Sequence, residues 1–192
     1  MNKRVINIFE ESAKVKMDFA GKNAGLIVEI ARSVVKAFND GNKLLIFGNG
    51  GSAADAQHLA AEFVNRFQIE RPPLPALALT TDTSIITSIG NDYDFSDIFS
   101  KQIKALGCSG DVAIGISTSG NSSNIIKAFK SASAIGIMTV GFTGTDGGKV
   151  GRMADVHLNV ESDSTARVQE THITAGHVVC DLVDQMLFGQ KK

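Results

Sequence analysis

Residues 43–47 (KLLIF) make a short, unbroken apolar run that stops at Gly48, and the chain continues as GNGGSAADAQHLAAE to Glu62. A run of that length with no polar alternation is the pattern of a parallel strand covered on both faces. Parallel neighbours cannot be joined by a tight hairpin, so such a strand commits the chain to helical crossovers and a layered α/β fold. Similar runs recur in PALALT (75–80), DVAIGIS (111–117), IMTVGF (137–142) and DVHLNV (155–160), with helix-compatible segments between them, the first at 52–67. Together they predict a five-stranded, mostly parallel sheet flanked by helices, with ligands received at the carboxyl ends of the strands.

Ahead of the first strand, Val5, Ile8 and Phe9, then Leu26, Ile27, Ile30, Val34, Val35 and Phe38, fall at helical spacing, with Gly21 and Gly25 between the two groups. This predicts an N-terminal helical hairpin within residues 1–42 whose apolar stripe either packs on its own domain or serves as an oligomer interface. Residues 164–188 predict one long closing helix. A chain of 192 residues, 43% hydrophobic, fits one domain over 1–192 with a sizeable core. The net charge of −1 and the lack of any basic run beyond Lys191 and Lys192 argue against nucleic acid as a ligand. No stretch approaches the roughly 20 apolar residues of a membrane span or forms a signal peptide, so a cytoplasmic location is expected. Cys108 and Cys180 lie far apart without ligand-like spacing and read as reduced structural thiols.

Two loops carry the chemistry. In the first, Gly48, Gly50 and Gly51 can take positive φ and let a ligand approach the backbone, while Ser52 reads as the N-cap of the following helix. Free amides at that helix start welcome an anion. The second, Ser117-Thr118-Ser119-Gly120-Asn121-Ser122-Ser123, follows the DVAIGIS run and opens a helix over 124–134. Hydroxyls and free amides there suit a phosphomonoester, whereas the Gly-Lys-Ser/Thr of a P-loop is absent. On the helix after the first loop, His58 and Glu62 share a face at i and i+4, with Asp55 one turn earlier. The closing helix adds Gln169, Glu170, His172 and His177. His172 and His177 point to different faces, and Gln169 and Glu170 align equally well with His177, so periodicity leaves the third partner open. A mixed His, Glu, His set suits zinc better than magnesium or calcium. His157, inside a strand run, reads as structural.

These motifs, GNGGSAADAQHLAAE (48–62), TTDTS (80–84), GNDYDF (90–95), ISTSGNS (116–122) and ARVQETH (166–172) with His177, cover nearly the whole chain. The sequence resembles the sugar isomerase (SIS) domain family, and within it the bacterial phosphoheptose isomerases. The resemblance implies an aldose-ketose isomerase that interconverts sedoheptulose 7-phosphate and D-glycero-D-manno-heptose 7-phosphate, the first step towards heptose units of the cell envelope. It further implies one zinc ion per subunit on His58, Glu62, Gln169 and His177. Substrate contacts are implied from Asn49, Gly50, Gly51, Glu62, Asn91, Asp92, Ser117, Thr118, Ser119, Ser122 and Gln169, and a homotetramer as the assembly. Moving a carbonyl between neighbouring carbons needs a base and a partnering acid, roles that fall to Glu62 and His177. Residues 64–67 and 70–79 also resemble a related SIS regulator that binds the replication initiator. In that group the glutamate and histidine are replaced, whereas here both stand. A sugar-phosphate-sensing transcription factor would need a helix-turn-helix domain, and the N-terminal segment offers no basic recognition helix.

Overall fold

The computed structural model describes residues 1–189, so the terminal Lys191 and Lys192 lie outside the described residues. The elements follow the expected alternation: α1 (Asn2–Asn39), β1 (Leu44–Gly48), α2 (Gly51–Val64), β2 (Ala76–Ala78), α3 (Thr83–Asp92), a 3₁₀ turn (Phe95–Asp97), α4 (Ile98–Leu106), β3 (Val112–Ser117), α5 (Ser123–Ala134), β4 (Met138–Gly144), α6 (Gly148–Met153), β5 (Val156–Val160) and α7 (Thr165–Phe188). All four strand pairings are parallel, in the order β2-β1-β3-β4-β5. The chain runs from β1 outward to β2 and then returns to the other side of β1 with β3. The carboxyl ends of β1 and β3 therefore flank the switch point, where open α/β sheets form their crevice, and these ends carry the two predicted loops.

Side chains alternate across the sheet and build two cores. Leu44, Ile46, Ile114, Phe142 and Leu158 face α1, α2 and α7. Leu45, Phe47 and Ala113 face α4, α5 and α6, with Phe47 set edge-on against Phe129 at 6.1 Å between ring centroids. β1 and β3 are buried along their whole length, as an unbroken apolar run requires. No helix among the described residues is long and apolar enough to cross a membrane.

The N-terminal hairpin is not formed. Residues 2–39 make one continuous helix of 38 residues, about 57 Å long at 1.5 Å per residue. Gly21 and Gly25 sit exposed within it with open space around them. An interior glycine costs a helix only about 1 kcal/mol, and the burial of Phe19, Ile27, Ile30, Ala31 and Val34 against α7 and the sheet outweighs that. The apolar stripe divides between its two expected uses. Its second half packs on the chain's own core, while Val5, Ile6, Phe9 and Met17 are left largely exposed. Both cysteines are free, and burial pushes the Cys180 thiol up to about 12.

Candidate active site

At the end of β1 the chain turns through Gly50, whose φ of +56° belongs to glycine, and Gly50 itself caps α2. Ser52 is not the N-cap: it lies inside the helix and is buried. Gly48 and Gly51 serve by their lack of a side chain. A Cβ on Gly48 would fall 2.7 Å from the Ser52 carbonyl oxygen, and one on Gly51 would fall 2.6 Å from Gln169 Nε2. That second approach brings the closing helix to the first loop and places the Gln169 amide beside it. Glu170, equally aligned by periodicity, is committed elsewhere. Its carboxylate accepts from Ser12 Oγ and from Arg167 Nη2, each at 2.6 Å, and ties α1 to α7.

α2 and α7 bring three predicted residues together. His58 Nε2 lies 3.0 Å from Glu62 Oε1, and the His58 and His177 rings meet edge-on at 4.9 Å between centroids. One ligand atom from each of His58, Glu62 and His177 lies within 4.8 Å of the others. His177 Nε2 is buried without a hydrogen-bond partner, an imidazole nitrogen left for a ligand or substrate. Burial lowers the His177 imidazole below its ordinary range, helped by His58 and opposed by Glu62. Phe67 stacks on the His177 ring at 5.4 Å and fixes its plane. Asp55 has one buried carboxylate oxygen without a partner, and burial raises its pKa.

The second loop stands where the sequence places it. Ser117 Oγ and Ser122 Oγ are 2.9 Å apart, Ser119 is exposed, and Ser122 precedes α5. Thr118 and Ser119 line an open cavity of about 160 Å³ with Thr145, Ser162, Asp163 and Thr165. The last four were missed, although the rule that ligands sit at strand ends pointed to the turns after β4 and β5. Gly120, at φ +63°, passes so close to the turn after β4 that a Cβ would lie 2.1 Å from the Gly147 carbonyl oxygen. The two loops are joined by reciprocal amides: Asn49 Nδ2 donates to Asn124 Oδ1 at 3.0 Å, and Asn124 Nδ2 donates to Asn49 Oδ1 at 2.8 Å. Asn91 and Asp92, at the end of α3, are exposed and bonded to each other at 2.8 Å, apart from this network.

Two histidines outside the cluster meet at Thr143 of β4, next to the Gly144 amide that donates to the Thr118 carbonyl. His157 Nε2 pairs with Thr143 Oγ1 at 2.6 Å, the structural part expected of it, and His172 Nε2 donates to the Thr143 carbonyl at 2.9 Å. Burial pushes the His172 imidazole down to about 4. The unfolded chain, with an ordinary histidine near 6.5, binds the extra proton more readily between those values. Stability is therefore whole above pH 6.5 and is lost as the pH falls from 6.5 towards 4. His172→Gln keeps a donor for Thr143 and removes the titration. In denaturant titrations at pH 7 and pH 5, the parent should lose about 2 kcal/mol more than the variant. Equal losses would refute the assignment.

The SIS domain matches residues 8–144. The chain is 56% identical over 187 residues to a phosphoheptose isomerase from Aquifex aeolicus, covering 97% of this chain and 98% of that protein. Among solved structures, a phosphoheptose isomerase from Neisseria gonorrhoeae superposes with a TM-score of 0.91 at 46% identity, covering 96% of this chain and 98% of that one. Another from Francisella tularensis gives 0.91 at 40% identity, covering 95% and 97%. With two glycine- and hydroxyl-rich loops at the switch point, a carboxylate and an imidazole brought together by α2 and α7, and similarity along almost its full length, the chain belongs to the phosphoheptose isomerase family of SIS-domain proteins.

Proposed function

We propose that this chain interconverts sedoheptulose 7-phosphate and D-glycero-D-manno-heptose 7-phosphate through an enediolate, as the first step of nucleotide-activated heptose synthesis. The observation that carries this reading is the convergence of Glu62 and His177 from separate helices, in a fold whose second strand-end loop is rich in hydroxyls. Ser117, Thr118, Ser119 and Ser122, with the amide end of α5, receive the phosphate ester. Asn49, Gly50, Gly51 and Gln169 hold the sugar, with Asn91 and Asp92 as further contacts. Glu62 takes the proton from C1 of the ketose and returns a proton to C2. His177 donates to the oxygen on C2 and accepts from that on C1, which moves the carbonyl with all atoms balanced. Phe67, stacked on the His177 ring, holds that imidazole in plane for the transfer.

His58, Glu62 and His177 fit a metal ion by donor type, by mutual reach and by the partnerless nitrogen of His177, and Gln169 would complete a set of four. Zinc bound there would supply Lewis-acid polarisation of the sugar oxygens and fix the geometry of its ligands. Its removal is testable with the natural substrate. Protein purified without chelator should contain about one zinc per subunit, convert sedoheptulose 7-phosphate to the aldose, lose that activity after chelation and regain it with zinc. Full activity in metal-free protein would remove zinc from the reading, and no aldose under any condition would remove the reading itself.

The same reading makes the protein a cytoplasmic homotetramer, and the uncovered Val5, Phe9 and Met17 of α1 offer a surface for that assembly. A purely regulatory part is disfavoured because it would need neither Glu62 nor His177, and the two meet.

A further inference from the structure

The coil after α2 carries a buried cation that the isomerisation chemistry does not use. Arg71 is 1% exposed in its side chain, and Asp184, its partner on α7, is 3% exposed. Arg71 Nε donates to Asp184 Oδ1 at 2.8 Å, and Nη2 donates to the Glu62 carbonyl oxygen at 2.9 Å. Nη1 donates to the carbonyls of Phe63 at 2.7 Å and Pro72 at 3.1 Å. One planar group therefore caps the last turn of α2, where helix carbonyls lack partners and a positive charge suits the dipole, and at the same time holds α7.

The places it grips are specific. Glu62 is the candidate base, and Arg71 bonds to that residue's own backbone. Asp184 lies seven residues beyond His177, two turns along the same face of α7. At the site's other border α2 and α7 touch through Gly176, where a Cβ would fall 2.5 Å from Leu59 Cδ2. The Glu62–His177 separation is thus set between a close contact beside His177 and a charged bridge two turns on. A buried ion pair adds little net stability compared with apolar packing of the same volume but is costly to break once formed, so Arg71 and Asp184 hold α2 and α7 in one arrangement. Pro72, Pro73 and Pro75 limit the freedom of the coil that delivers Arg71.

We propose that Arg71, braced by Asp184, is a positioning residue for proton transfer, holding the α2 carboxylate at working distance from the α7 imidazole. This rests on the reading of Glu62 and His177 as the base and acid. Arg71→Lys keeps the charge but lacks the fork that bonds Asp184 and the Glu62 carbonyl together. In the zinc-loaded enzyme, assayed well below its melting temperature, this variant should lose at least tenfold in kcat with KM within twofold of the parent. Asp184→Asn, which loosens only the α7 end, should lose about threefold in kcat with KM again unchanged. It serves as the second variant if Arg71→Lys does not fold. A purely structural bridge would lower the melting temperature and leave kcat intact, and that result in both variants overturns the proposal. Glu62→Gln belongs in the same assay. If it still turns over, the acid–base reading fails and the positioning role with it. If it is dead while Arg71→Lys and Asp184→Asn match the parent, the positioning role fails alone.

Discussion

Glu62→Gln is expected to abolish isomerisation while leaving a folded protein that still takes up sugar phosphate. The carboxylate and the amide have nearly the same shape, the side chain is only partly buried, and its one hydrogen-bond neighbour is His58. What goes is the group able to accept a carbon-bound proton, and because the same carboxylate is a proposed zinc ligand, the variant is compared with the parent at equal zinc content. General-base catalysis is worth roughly 10²–10⁴ in rate, so kcat should fall by about a thousandfold with a melting curve close to the parent's. Exchange of the substrate's C1 hydrogen with deuterated solvent, followed by NMR, reports the same step without waiting for product. Turnover or exchange within tenfold of the parent would assign the base elsewhere.

Gly120→Ala is expected to damage both fold and binding. The residue sits at φ +63°, which costs an alanine about 1–2 kcal/mol, and its Cβ would meet backbone, the Gly147 carbonyl oxygen at 2.1 Å. Neither side can yield cheaply, because the Gly120 amide donates to Ser117 and its carbonyl accepts from the Val150 amide at 2.8 Å. We expect a loss of about 3 kcal/mol, a melting temperature lower by roughly 6–12 °C, and a KM for the phosphosugar raised at least tenfold. Gly21→Ala is the control of opposite sign. That glycine lies in a helix with open space around it, so alanine should stabilise by about 0.5–1 kcal/mol. A Gly120→Ala protein with unchanged melting temperature and KM would show that the second loop does not depend on this crossing.

The strands and both loops were legible because each depends on a local pattern: an unbroken apolar run, then glycine, hydroxyls and a helix start. The His58–Glu62 pair was legible for the same reason, since one helix turn relates them. What depends on distant packing was not. Periodicity could not separate Gln169 from Glu170, and only the fold shows that Ser12 and Arg167 occupy Glu170 while Gln169 rests on Gly51. The N-terminal hairpin does not form: Gly21 and Gly25 look like a break in sequence, yet packing on α7 and the sheet carries the helix through them. Ser52 looks like a cap because a serine near a helix start so often is one, yet the turn closes at Gly50 and buries Ser52. Arg71 gave no signal at all, for nothing in the run ERPPLP says that its arginine faces inward towards a helix more than a hundred residues away.

The paired amides of Asn49 and Asn124 bear on which sugars the crevice accepts. Each gives one bond and takes one, so neither side chain can turn without breaking both. The turn after β1 and the turn after β3 are bolted together across the switch point, and the span between them is settled before any ligand enters. With the second loop seating the ester as proposed, that fixed span would work as a ruler along the sugar, measured from its phosphate.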